Sequence, residues 1–145
     1  MGFDPGLANL GVYCTCGWHV TTTTKPSSGD LASRIVQILA RPLEHILVVH
    51  GGKDKFDRIF LEGTYGALVD VIKYVLGATL YLAAGIPCEI IHPMNWRRGL
   101  FGKLKKGQYD KSAMEKAKPI LGVKITQHEA DAYCLTRWAL YKGTK

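Results

Sequence analysis

What the chain lacks narrows its class first. No apolar run in its 145 residues is long enough to cross a bilayer: the most apolar stretch, Gly66 to Pro87, is interrupted by Asp70 and Lys73. Its charge-free part, Tyr74 to Cys88, falls short of the roughly 20 residues a membrane helix needs, so no membrane partner is expected. The amino terminus, Met-Gly-Phe-Asp-Pro-Gly, has no basic start followed by an apolar core. No secretory signal is expected, and the protein is expected inside the cell. Cysteine is sparse and poorly spaced, with residues 14, 16, 88 and 134 forming no pair of Cys-x-x-Cys knuckles. Cys14-x-Cys16 falls in an expected strand with both side chains on one face and no two further ligands at a suitable spacing. Reduced, mostly buried thiols are therefore expected rather than a structural zinc. Internal repeats, linkers and low-complexity segments are also missing, apart from the short run Thr21 to Thr24. A single domain over residues 1–145 is the expectation.

What is present fits a globular protein, with 47% hydrophobic and 21% charged residues. Nineteen Lys and Arg against twelve Asp and Glu leave a formal charge of +7. Such an excess favours a polyanionic partner, nucleic acid or an acidic membrane surface, although basic charge also serves solubility alone.

Residues 10–24 are rich in β-branched and aromatic types around Gly17 and read as a hairpin. Asp30 can cap a helix carrying Leu31, Ile35, Ile38 and Leu39 on one face, which Pro42 is expected to kink or divide before Leu43 to Val49. Arg58 to Glu62 and Cys88 to Ile91 read as short strands joined by a long apolar helix from about Gly66 to Ala84. This is a βαβ unit, whose strands are parallel. The helix has no broad polar face and so needs cover on both sides, from the sheet and from either a second copy of the chain or the first helix. From Pro93 to Tyr109 there are five cations, no acid and three glycines, which predict a mobile basic loop. Asp110 to Leu121 reads as a helix broken near Pro119, and Thr126 as the N-cap of a last helix to about Tyr141.

Four residues carry the chemistry. Asp4 stands in Phe3-Asp4-Pro5-Gly6, at a strand end where it would point outward; alone, an Asp before Pro-Gly is also an ordinary turn residue. Glu62 ends an apolar strand, and parallel neighbouring strands would bring it to Asp4. Two carboxylates pressed together repel unless a divalent cation lies between them. His128 and Asp131, at i and i+3 in the last helix, share a face. By itself His128 is also consistent with a partly buried histidine.

Together these residues resemble the RuvC-type Holliday junction resolvases. The resemblance runs over nearly the whole chain: Asp4-Pro5-Gly6 with Gly11, Leu61-Glu62-Gly63-Thr64-Tyr65, and His128-Glu129-Ala130-Asp131-Ala132-Tyr133. It implies an α/β, RNase H-like fold: a mixed five-stranded sheet, three antiparallel strands leading into two parallel ones, with helices on both faces. It implies two Mg2+ ions, replaceable by Mn2+, held by Asp4, Glu62, His128 and Asp131, with His128 also helping to hold or activate the attacking water. The implied substrate is branched DNA, cut in pairs by a homodimer. Tyr65 matches an aromatic position that stacks on bases near the branch, and Arg97 and Lys111 match basic positions facing DNA. Arg98, Lys103, Lys105 and Lys106 of the basic segment are expected to grip phosphates. The basic loop between Gly102 and Lys111 looks longer than usual in the family, which suits a divergent member such as a phage-encoded or organellar one.

Two other classes fit less well. Actin-like kinases and ATPases open on a related acid and glycine pattern but need a second domain, for which this length has no room. A catalytically silent DNA-binding module of the same fold would not need metal-competent residues at all four site positions.

Overall fold

The structure, a computed structural model, describes residues 1–6, 8–25, 29–51, 58–63, 67–105 and 107–142, with 67–72 by their backbone alone. β1 (Gly2–Pro5) pairs antiparallel with β2 (Asn9–Tyr13), and β2 with β3 (His19–Thr23). Gly17, at φ +97°, turns the second of these hairpins, as its lack of a Cβ allows. On the other side of β1 lie β4 (Ile59–Glu62) and then β5 (Cys88–Ile91), both parallel. The order is β3-β2-β1-β4-β5, the mixed sheet expected, with β1 at its centre.

Strand alternation sorts the apolar residues into two layers. Phe3, Leu10, Val12, Ile59 and Leu61 face α1 (Leu31–Glu44) and α2 (Ala67–Ala84), where Ile38, Leu39, Leu76 and Leu80 meet them. Tyr13, Phe60 and Ile91 face α3 (Pro93–Phe101), α4 (Gln108–Leu121) and α5 (Gln127–Lys142), with Trp96, Ala113 and Leu135 in that core. Helices therefore cover both faces.

Three sequence expectations are corrected. α1 is not divided at Pro42: it continues to Glu44 and then widens into a π-helical segment, His45–Val49. Proline has no N–H to offer the carbonyl of Ile38, and the buried hydroxyl of Thr22 on β3 donates to that oxygen instead, at 3.0 Å. α4 likewise runs past Pro119 and stops at Gly122, whose N–H donates to the Lys118 carbonyl at 2.9 Å. Glu115, whose carbonyl loses its helical donor at Pro119, lies on the exposed side of the helix. The segment from Pro93 is no loop until Gly102. Pro93 starts α3 in the position proline favours, and the ring Nδ1 of His92 caps it by accepting from the Met94 N–H at 3.1 Å. Gly99 serves packing rather than mobility, because a Cβ there would collide with the indole of Trp138.

α2 buries Leu76, Leu80 and Ala84 while Tyr74, Val75, Tyr81 and Leu82 remain exposed. The cover expected on its second side is thus not complete within one chain. No helix among the described residues is long and apolar enough to cross a membrane.

Candidate active site

Because Phe3 faces the α1–α2 layer, Asp4 beside it faces α5. In the parallel pairing Gly2 lies opposite Phe60 and Phe3 opposite Leu61, so the next step brings Asp4 alongside Glu62. Asp4 also pairs across β1 and β2 with Gly11. A methyl group on Gly11 would collide with the carbonyl of His128, and one on Gly2 with Thr136 and the carbonyl of Ala132. These two glycines let α5 lie directly on the sheet.

The first turn of α5 is fixed by a capping box: the Thr126 hydroxyl accepts from the Glu129 N–H at 3.1 Å, and the Glu129 carboxylate accepts from the Thr126 N–H at 2.8 Å. The phase so set turns His128 and Asp131 toward Asp4. His128 Nδ1 lies 2.6 Å from Asp4 Oδ2. One carboxylate oxygen each from Asp4, Glu62 and Asp131 lies within 4.8 Å of the others, and all three residues are buried. Asp4, expected to point outward, is therefore an inward-facing acid.

Burial and mutual repulsion dominate the electrostatics. Burial, then the nearby Asp4, holds the Glu62 carboxyl well above its ordinary range. The same two causes push Asp131 up to about 7, against the opposing pull of Arg97. The bond to Asp4 raises His128. A site in which acids prefer to keep their protons is one that a cation would relieve, and its donors are carboxylate oxygens, the ligands hard divalent ions take.

Arg97, expected to face DNA from a loop, reaches from α3 into this cluster. Its Nη2 lies 3.2 Å from Asp131 Oδ2 and 3.5 Å from Glu62 Oε1, and its Nη1 lies 3.8 Å from Asp110. Two further residues went unnoticed in the sequence. The buried indole N–H of Trp96 donates to Glu62 Oε1 at 3.2 Å, and the Gln127 amide donates to Asp131 Oδ1 at 2.9 Å. Gln127 could have been found, since it stands one turn before Asp131 on the same helix. Trp96 could not, once its segment was read as a loop. Arg98, Lys103, Lys105 and Lys111 are exposed and lie outside the acid cluster. Tyr65 and Lys106 lie outside the described residues.

Sheet order, helices on both faces and acids on adjoining strand ends define an α/β, RNase H-like fold. Within that class it is the fold of RuvC. The chain is similar to the Thermus thermophilus RuvC structure, with a TM-score of 0.70, 21% identity and coverage of 99% of this chain and 95% of that one. It is equally similar to T. thermophilus RuvC in complex with a Holliday junction substrate, with a TM-score of 0.70, 22% identity and 99% and 94% covered. No protein-family model matches the chain, and no curated protein matches it in sequence.

Proposed function

We propose that the protein is a divalent-metal-dependent endodeoxyribonuclease acting on branched DNA, four-way junctions foremost, in recombination and repair. The observation that carries this reading is the buried meeting of Asp4, Glu62 and Asp131, within 4.8 Å, on a fold shared with a protein solved on a Holliday junction. Asp4, Glu62 and Asp131 would hold two Mg2+ ions, or Mn2+ in their place. When bound, such ions lower the pKa of an attacking water and stabilise the leaving oxygen of a phosphodiester. The chain's own groups do the rest. Asp4 anchors one nitrogen of His128 and leaves a half-buried imidazole able to take up a proton. Trp96 and Gln127 fix the rotamers of Glu62 and Asp131 by their hydrogen bonds. Arg97 offsets the negative charge between them.

DNA would be held outside the acids. Arg98, Lys103, Lys105 and Lys111 are exposed on α3, the α3–α4 connection and the start of α4. Arg97 reaches Asp110, which places the start of α4 at the rim of the site. With Lys106, these cations would grip phosphates, and Tyr65 would stack on splayed bases at the branch. A second copy of the chain would cover Tyr74, Tyr81 and Leu82 of α2, and a two-fold dimer matches the two-fold symmetry of a four-way junction.

The test is incision of a synthetic four-way junction beside a linear duplex of the same sequence, with and without added Mg2+. Cutting of the junction only when Mg2+ is present is expected. Binding without cutting under any divalent ion would sink the enzyme reading in favour of a silent DNA-binding module.

A further inference from the structure

At the other end of the sheet a second group of metal-competent side chains converges. Cys14 follows β2, and Cys16 lies two residues on in the hairpin turn. His45 and His50 begin and follow the π-helical segment after α1. One ligand atom from each of the four lies within 4.8 Å of every other. We propose that Cys14, Cys16, His45 and His50 form a structural zinc site.

Geometry carries the assignment. A tetrahedral zinc with ordinary bond lengths sets its ligands about 3.8 Å apart for two sulfurs, about 3.6 Å for sulfur and nitrogen, and about 3.3 Å for two nitrogens. Here Cys16 Sγ lies 3.5 Å from His45 Nε2 and 3.3 Å from His50 Nε2, Cys14 Sγ lies 3.8 Å from His50 Nε2, and the two Nε2 atoms are 3.1 Å apart. Both imidazoles aim the same nitrogen at each other and at sulfur. Hydrogen bonds alone do not call for that: between two Nε2 atoms only one proton can be shared, whereas a cation satisfies all four donors at once.

Local structure prepares these positions. In an α-helix, residues five apart point about 140° away from each other at about 100° per residue. The π-helical widening at His45–Val49 removes much of that angle, and π segments recur where a side chain must be re-aimed for function. Trp18 stacks flat on His45, with centroids 4.0 Å apart and planes at 8°, and so fixes its ring. The Cys16 N–H points at Cys14 Sγ from 3.5 Å. The spacing His45-x4-His50 also lies within the range of known zinc-binding pairs. All four cysteines are free, as expected, and of these Cys16 alone is exposed; the expected lack of two further ligands is what the structure corrects, since Cys14 and Cys16 both face His45 and His50.

Four protein ligands close the coordination sphere, which marks a structural site, not a catalytic one. It is separate from the acid cluster. Asp4 pairs with Gly11, and Cys14 lies three residues further along, about 10 Å at the rise of a strand, with its side chain on the opposite face of the sheet. The ion would tie the β2–β3 hairpin to the end of α1.

The test is elemental analysis and cobalt substitution on full-length protein purified under reducing conditions with micromolar Zn2+. Expected are equimolar zinc, the visible absorption of tetrahedral cobalt thiolate on exchange, and a fall in melting temperature on zinc removal that zinc alone restores. Cys16→Ser and His50→Gln, both on accessible side chains, should lose the bound zinc, while Asp131→Asn keeps it. Substoichiometric zinc in the wild type, or equimolar zinc retained by the Cys16→Ser, His50→Gln double variant, would overturn the assignment.

Discussion

The two clusters differ in almost every respect that matters to a metal. Asp4, Glu62 and Asp131 are buried oxygen donors beside a guanidinium, on strand ends and a helix that the sheet and glycines press together. Cys14, Cys16, His45 and His50 are sulfur and nitrogen donors from a hairpin turn and a helix end. The oxygen set suits a hard ion that keeps water and exchanges ligands with a substrate, and the sulfur–nitrogen set suits a soft ion sealed by the protein. On these two proposals, one fold separates chemistry from fastening by donor type, at opposite ends of the same sheet.

The sharpest way to break that comparison is to damage one end and read the other. Glu62→Gln or Asp131→Asn should slow junction cleavage by at least about 10²–10³-fold, the scale of losing one preorganised electrostatic group, with bound zinc unchanged. Cys16→Ser should do the reverse, costing zinc and melting temperature while junction cutting persists below the new transition. Loss of cutting and zinc together in either variant would mean that the two ends are one unit.

Gly11→Ala comes next. The added methyl meets the His128 carbonyl, so α5 must lift from the sheet, at about 1–3 kcal/mol for overpacking. Cleavage should fall further than stability, because His128 and Asp131 move away from Asp4. Full activity at an unchanged melting temperature would show that the approach of α5 is not required.

A pH series sharpens the electrostatic half. Asp131 and Glu62 hold protons more tightly folded than unfolded. Without a divalent ion, stability from these groups is therefore greatest below about pH 4 and is lost as pH rises toward about 7. Added Mg2+ should raise the melting temperature more at about pH 8 than at about pH 5.5, and Asp131→Asn should flatten the difference. A magnesium effect indifferent to pH would count against an acid-held ion.

The smallest effect concerns the rim. Replacing Lys103, Lys105 and Lys106 by Ala should weaken duplex and junction binding alike, flattening the salt dependence by up to about 0.9 log unit for each phosphate no longer neutralised. Tyr65→Ala should spare duplex binding and slow junction cutting alone, since stacking contributes about 1–3 kcal/mol per base. Equal losses on both DNAs for Tyr65→Ala would make it a packing residue.

Much of this was legible in the sequence because the signals were local. Gly17 in a β-branched run gave the β2–β3 hairpin, Asp30 and Thr126 gave helix starts, and two short strands around an apolar helix gave the parallel pair. Asp4 and Glu62 were legible as strand-end acids in an apolar pattern, and Asp131 by its spacing from His128 on one helix face. What escaped depended on distant partners. Gly99 looked like a loop residue because Trp138, whose ring requires it, is 39 positions away. Pro42 looked like a break because Thr22 supplies the compensating hydroxyl from another strand. His45 and His50 hid inside an apolar stretch, and their relation to Cys14 exists only once α1 has folded back on the hairpin.

β1 is paired on both sides, to β2 and to β4. A doubly flanked central strand exchanges its amide hydrogens only when the whole molecule opens, whereas peripheral helices open earlier and alone. Asp4 therefore inherits the lifetime of the entire fold. Arg97, partly exposed on α3, can swing away from the acids without the fold opening, whereas Trp96, wholly buried in the core, and Asp4, on the central strand, hold until more of the molecule opens.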